Sequence, residues 1–147
     1  MSSARSKREV ALTIATAGSG LVLTAMFVWA IAKHGQPQHF LLLFFAWFLM
    51  LAFTSTYLLW KRKSIGAWGS LVFFALQIIS IERDGAAYWP GYSFGLMIEV
   101  FRSDSWEVNL GVSSIVFALL AVGTIRLYWE ERVIREKIGR ASCRERV

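Results

Sequence analysis

Residues 40–81 read FLLLFFAWFLMLAFTSTYLLW, then KRKS, then IGAWGSLVFFALQIISI, and this stretch decides the fold. Both long runs, residues 40–60 and 65–81, lack any charged side chain. At about 1.5 Å per residue the first run would form a helix of roughly 31 Å, which matches a hydrocarbon core of about 30 Å. A helix buried in a soluble domain would carry a polar stripe, and this run has none. The stretch therefore predicts two membrane-spanning helices joined by a basic turn.

The composition supports a single membrane unit. The chain has 147 residues, of which 56 % are hydrophobic and 15 % aromatic. It is too short for two globular domains and too apolar for an ordinary soluble one. The formal net charge is +6, but the basic residues lie between apolar runs. They therefore indicate membrane topology, and we expect no binding to nucleic acid.

Two further apolar runs flank the hairpin. The run near the N-terminus has 23 residues, more than the apolar core of a signal peptide, so we expect it to be retained. Together these runs predict an all-α fold, a polytopic four-helix membrane bundle formed by residues 1–136. The predicted spans are residues 10–32, 40–60, 65–81 and 110–128.

Basic residues are unevenly distributed between the span ends. Nine flank the N-terminus, the turn and the last helix end, namely Arg5, Lys7, Arg8, Lys61, Arg62, Lys63, Arg126, Arg132 and Arg135. Three lie on the other side, namely Lys33, Arg83 and Arg102. Because basic residues concentrate in cytoplasmic connections, this asymmetry predicts a cell-membrane protein with both termini in the cytoplasm. In this interpretation Lys61, Arg62 and Lys63 determine the topology.

The longest connection, residues 82–109, is predicted to form the outer loop, and it carries a net charge of −3. Within it, Phe94, Met97, Ile98 and Phe101 follow the i, i+3, i+4, i+7 spacing of an apolar helix face. We expect a short amphipathic helix that lies in the headgroup plane or caps the mouth of the bundle. Its apolar face is the candidate interaction surface.

The sequence offers no candidate catalytic, cofactor-binding or metal-ligating group. No predicted span holds an Asp, Glu, Lys or His away from its ends, although intramembrane enzymes and proton-coupled carriers depend on such groups. His34 and His39 are five residues apart across a proline, which does not fit helical metal ligands, so we interpret them as solvated. Gln77 is the deepest strongly polar residue. It is a candidate either for an interhelical hydrogen bond or for a pore-lining group.

The last residues, KIGRASCRERV at 137–147, look foreign to the chain. Their back-translation resembles a common sequencing-adapter oligonucleotide read in frame, and such segments are excluded from fold reasoning. Without them the net charge falls to +3 and the single cysteine, Cys143, is lost. No disulfide or thiol chemistry is then expected in residues 1–136, and we expect the natural C-terminus to be absent.

The stretch LLWKRKSIGAWG at residues 58–69, with LYW at residues 127–129, resembles small uncharacterised four-span prokaryotic membrane proteins. That resemblance implies four spans and brings no catalytic residue with it. We therefore predict a non-enzymatic protein, structural or accessory, that acts in the lipid bilayer on other membrane proteins or by self-association. The alternative is a small oligomeric channel or carrier for ions or small solutes that uses Gln77.

Overall fold

The structure is a computed structural model that describes residues 6–34, 39–83, 86–89 and 97–144. Its four helices are α1 (Lys7–His34), α2 (His39–Trp60), α3 (Ser64–Leu76) and α4 (Val112–Arg144). Four strands lie between α3 and α4, namely β1 (Ile79–Arg83), β2 (Ala86–Trp89), β3 (Met97–Arg102) and β4 (Trp106–Gly111). The chain is therefore mostly helical, as predicted, but it also contains a small sheet, so it is not all-α.

The four helices pack as a ring. Helix α2 contacts α1 and α3, α4 contacts α3 and α1, and the diagonal contact between α1 and α3 is slight. A row of aromatic rings fills the interior. The ring of Phe73 lies 5.6 Å from that of Phe48 on α2 and 5.2 Å from that of Phe74. Phe74 in turn lies 5.1 Å from Phe117 on α4, so the row joins three helices through their apolar faces.

A pair of hydroxyls makes the polar contact between α1 and α3. Thr16 Oγ1 lies 3.1 Å from Ser70 Oγ, and both residues are completely buried. Each hydroxyl is also within hydrogen-bond distance of a carbonyl one turn earlier, Thr16 of Leu12 and Ser70 of Gly66. Because Ser70 donates its proton to the Gly66 carbonyl, its oxygen can accept from the Thr16 hydroxyl, and the two helices meet at this hydrogen bond.

Three helical segments are long and apolar enough to cross a membrane, Lys7–Trp29, Leu43–Trp60 and Val112–Ile134. Their outward side chains include many large apolar groups, such as Leu21, Met50 and Leu119, that are well exposed. Such a surface is suited to lipid rather than to water. These helices correspond to the first, second and fourth predicted spans. Helix α4 continues through Arg144 and so includes most of residues 137–147.

The third predicted span, residues 65–81, is helical only as far as Leu76. Helix α3 has 13 residues, which corresponds to a rise of roughly 20 Å. It ends at Leu76, and residues 79–81 belong to β1. The physical reason is that this end of the run, IISI, is rich in β-branched residues and has a partner strand available in β4.

The sheet has the order β2-β1-β4-β3, and neighbouring strands are antiparallel. Ile79 pairs with Leu110 and Met97 pairs with Gly111. The Gly111 N–H donates to the Ile78 carbonyl at 2.7 Å, just beyond the end of α3. Strand β4 runs directly into α4. The start of β1, the end of β4 and the start of β3 therefore lie beside the helices. The opposite ends of these strands lie farther from the helices.

The predicted amphipathic helix is wrong. Met97, Ile98 and Phe101 belong to β3, and Phe94 lies outside the described residues. All six side chains of β3 are exposed, so none of them caps the mouth of the bundle. A two-turn helix would leave most of its backbone groups without partners, whereas pairing with β4 satisfies one edge of the segment. Residues 35–38, between α1 and α2, likewise lie outside the described residues.

Gly66 provides a test of how closely α3 approaches α2. A Cβ at this position would lie 2.5 Å from the Leu59 backbone nitrogen and 2.9 Å from the Leu58 carbonyl carbon. We expect Gly66→Ala to lower the free energy of unfolding by about 1–3 kcal/mol, because overpacking would force the two backbones apart. Equilibrium unfolding of the purified protein in detergent micelles measures this change.

Gly18→Ala is the matched control, since a Cβ there would meet nothing within 4 Å. In a helix this substitution should leave the stability unchanged or raise it by up to about 1 kcal/mol. Equal unfolding of the two variants would contradict the close approach of α3 to α2.

Candidate functional site

An ion-paired arginine joins three parts of the chain at one end of the bundle. Arg62 lies in the turn between α2 and α3, and its Nε is 3.6 Å from Glu9 Oε1. Its Nη2 is 3.8 Å from Glu131 Oε1 on α4. We call Glu9, Arg62 and Glu131 the Arg62 cluster. The buried hydroxyl of Tyr128 lies beside Glu9. The start of α1, the turn and this part of α4 therefore lie together.

Local sequence explains why Glu9 is available to the cluster. The Ser6 N–H donates to Glu9 Oε2 at 2.9 Å, and the Glu9 N–H donates to Ser6 Oγ at 3.2 Å. This reciprocal pair is a capping box at the start of α1. Glu9 is only 5 % exposed. One carboxylate oxygen thus closes the helix start while the other faces Arg62.

The backbone of the turn places Arg62 where glycine is usually favoured. Its φ is 56°, in the left-handed region. The Arg62 N–H donates to the Leu59 carbonyl and the Lys63 N–H to the Leu58 carbonyl, each at 2.9 Å. This is a Schellman motif with Arg62 at its left-handed position, which costs a non-glycine residue about 1–2 kcal/mol. The side-chain contacts with Glu9 and Glu131 offset that strain.

The structure separates the three residues that were predicted to determine the topology. Lys61 and Lys63 are exposed, whereas Arg62 is partly buried in the cluster. Sequence reasoning placed Glu9 outside the first span and missed its role. The signal that could have found it is the S-x-x-E pattern directly before an apolar run. Nothing local in the sequence indicates that Glu131 would meet the same arginine.

Gln77 lies at the junction of α3 and β1 and is 1 % exposed. Its backbone N–H closes α3 by donating to the Phe74 carbonyl at 3.0 Å. Among the described residues its side-chain nitrogen Nε2 has no hydrogen-bond partner. Both predicted roles for this side chain, the interhelical hydrogen bond and the pore-lining group, stay predictions.

The turn between β3 and β4 is a compact charged structure at the far end of the sheet. Arg102 contacts Glu107 at 2.7 Å and Glu99 at 3.2 Å. The Ser103 N–H donates to the Trp106 carbonyl at 2.8 Å, and the Trp106 N–H donates to Ser103 Oγ at 3.2 Å. We call residues 102–107 the sheet tip. Its hydrogen bonds hold a fixed pattern of charges beyond the helices.

The interior of the bundle combines buried polar and apolar side chains in the part that the structure describes. The buried hydroxyls of Thr16, Ser70 and Thr124 each lie within hydrogen-bond distance of a carbonyl of their own helix, and Ser19, Ser55 and Ser114 are also buried. The phenylalanine row lies in the same interior. The same described residues contain no group of three or more His, Cys, Asp or Glu that could hold a metal ion. Ion pairs that join different elements lie in the Arg62 cluster at one end of the bundle and in the sheet tip beyond the other end.

The Arg62 cluster can be tested by removing its cation. We expect Arg62→Ala to lower the free energy of unfolding by about 1–3 kcal/mol, because the buried Glu9 carboxylate loses a charged donor. Arg62→Gly should cost less, since glycine accepts the left-handed backbone without strain. Lys63→Ala is the control at an exposed neighbour and should change the stability by less than about 0.5 kcal/mol.

A second substitution shows whether the charge of Glu9 causes the loss. Glu9→Gln keeps a residue that suits the capping box but removes the charge. In that background Arg62→Ala should therefore destabilise the protein less than it does alone, by calorimetry or denaturant titration in micelles. Equal effects in the two backgrounds would show that the ion pair has no influence on stability.

Comparison with known proteins gives no match. No protein-family model matches the chain, and no curated protein or solved structure matches it. The functional proposals for this protein therefore rest on its own residues and their geometry.

Proposed function

We propose that this protein is a non-enzymatic integral membrane protein that acts through contacts with other membrane proteins or with a second copy of itself. The observation that supports this function best is the sheet tip. It lies at the far end of the sheet from the helices and is held by hydrogen bonds of its own. A fixed, exposed and charged turn of this kind is suited to recognition by a partner.

The charges of the sheet tip favour a partner with a basic surface. Glu107 in the sheet tip and Glu99 next to it pair with Arg102, and Asp104 adds a third carboxylate in the turn. The two ion pairs of Arg102 are largely exposed, and such pairs contribute only about 0–1 kcal/mol to stability. Their main effect is to hold the acidic groups in a set arrangement. Complementary charge on a partner would raise the association rate and select the correct partner.

The proposed orientation places the Arg62 cluster and both termini in the cytoplasm and the sheet outside. The nine-to-three asymmetry of basic residues supports it. The ion pairs of Arg62 support a location of the start of α1, the turn and Glu131 on the same side of the membrane. The helices with lipid-type surfaces then cross the cell membrane between these two ends.

The alternative function is a small oligomeric channel or carrier with its pathway between protomers. Gln77 is the polar group that this alternative uses, but it is 1 % exposed and so lies inside the protomer rather than on a surface between protomers. The phenylalanine row inside each protomer weighs against a pathway through the bundle itself. Passage of ions or small solutes into liposomes that contain the purified protein, above the rate of protein-free liposomes, would support the alternative over our proposal.

Orientation can be tested by labelling with a membrane-impermeant thiol reagent. In a Cys143→Ser background, single cysteines replace Ser103 in the sheet tip and Ser64 at the start of α3, both exposed positions. We expect labelling of intact cells at position 103 only, because the basic turn stays in the cytoplasm. Labelling at position 64 alone would reverse the orientation. Equal labelling of both would indicate that the protein inserts in two orientations.

Partner binding can be tested by photo-crosslinking in native membranes. A photoreactive amino acid at Asp104 should give a discrete protein adduct, because this residue is exposed in the sheet tip. Glu107→Lys should reduce the adduct by reversing a charge next to Arg102. The matched control is the same probe at Leu119, an exposed apolar residue of α4. No more adduct at Asp104 than at Leu119 would contradict the proposal.

A further inference from the structure

Strand β3 extends the apolar surface of the helices into the sheet. Met97, Ile98, Val100 and Phe101 are between 40 % and 62 % exposed. We propose that β3 lies in the interface of the protein's own bilayer, with these four side chains at the boundary between headgroups and acyl chains. This inference rests on the proposed membrane location and adds the lipid interface as the partner of β3.

The register of the sheet sets the depth of β3. The rise of α4 from Glu131 in the Arg62 cluster to Val112 is roughly 28 Å at about 1.5 Å per residue. A hydrocarbon core is about 30 Å thick. Strand β4 continues directly from this point, and β3 begins opposite it, with Met97 paired to Gly111 and Ile98 to Leu110. The first residues of β3 therefore lie where the hydrocarbon ends.

Because helix α3 is short, the end of the sheet nearest the helices lies at the same depth in the membrane as the start of β3. Its 13 residues rise only about 20 Å, so the crossing is completed by the segment that leads into β1. Non-helical backbone is tolerated at this depth only where protein covers it. Gln77 is 1 % and Ser80 4 % exposed, whereas the apolar Ile79 between them is 46 % exposed and can face lipid. The first residues of β1, and β3 at the same level, are thereby held near the membrane surface.

The apolar surface is continuous from helix to strand. Strand β3 contacts α4, whose outer residues Val116 and Leu119 are more than half exposed. Arg102 is at the other end of β3 and pairs with Glu107 across the strands, and Glu99 reaches the same guanidinium from between Ile98 and Val100. The two charged side chains of β3 are thus held together at the sheet tip, while its four apolar side chains stay exposed beside the helices.

The edge of β3 is poorly suited to pairing with another strand. Although β3 is the last strand of the sheet, its register shifts between Glu99 and Phe101, and Glu99 and Arg102 carry charge. Bulges and charges are features that protect an edge against strand addition. Successive residues also point to opposite faces of a strand, so Val100 and Phe101 lie on different sides. A rigid partner would cover one face, whereas a fluid interface surrounds both.

The test measures which quencher reaches β3. In a Cys143→Ser background, single cysteines at Ile98, Val100 and Asp104 carry an environment-sensitive fluorophore, and the full chain is reconstituted in phosphatidylcholine vesicles. We expect nitroxide-labelled phosphatidylcholine to reduce the fluorescence at Ile98 and Val100 and to leave Asp104 nearly unchanged. Iodide in the buffer should show the opposite order. The Asp104 variant is the matched control, because it lies on the same hairpin but in the sheet tip.

Two results would overturn the inference. If iodide quenches Val100 as strongly as Asp104, β3 lies in water. If neither quencher reaches Val100, protein covers the strand, and loss of this protection on dilution with excess lipid would identify a second copy as the cover. Each outcome is independent of photo-crosslinking at Asp104, so failure of this inference can be told apart from failure of the proposed partner binding. Unfolding curves that match the unlabelled protein show that each variant is folded.

Discussion

The pairing of Arg62 with two carboxylates is the interaction that brings the four helices together at one end. The turn between α2 and α3 is closed by backbone hydrogen bonds, but only the guanidinium reaches both α1 and α4. Helix α1 packs mainly on α2 and α4, and Glu9 adds a charged contact between its start and the turn. Because Glu9 is buried, salt screens this pair less than an exposed one.

The sheet provides hydrogen-bond partners for the backbone that follows the short helix α3. A chain that leaves its helix about 10 Å before the end of a hydrocarbon core has backbone groups without partners, and these are costly in an apolar environment. Strands β1 and β4 pair directly above α3 and α4, and the Gly111 N–H satisfies the Ile78 carbonyl at the junction. The segments that follow α3 and precede α4 therefore stay in contact as the strand pair β1–β4.

Hydropathy was sufficient to predict the membrane-length parts of α1, α2 and α4, because each contains a long, mostly apolar run. It failed between residues 77 and 111, where the structure depends on pairing between segments far apart in sequence. Val100 argued locally against the predicted amphipathic helix. It lies off the helix face of Met97, Ile98 and Phe101, but it fits a strand with apolar residues on both faces. The contact of Arg62 with Glu131 has no local signal at all. The capping box at Ser6 and Glu9 could have been predicted from the S-x-x-E pattern, although hydropathy alone shows these residues only as part of the polar N-terminus.

The two ends of the molecule differ in how they can contribute to function. At the Arg62 end the ion pairs of the Arg62 cluster contribute to the stability of the bundle, while Lys61 and Lys63 beside them are exposed. At the sheet end the backbone is ordered by pairing while the side chains of β3 face outward. A backbone that is already ordered loses little further backbone entropy when lipid or a partner meets these side chains. In our proposals the apolar side chains of β3 face the lipid interface and the charged sheet tip faces a partner, so one hairpin separates the two kinds of contact along its length.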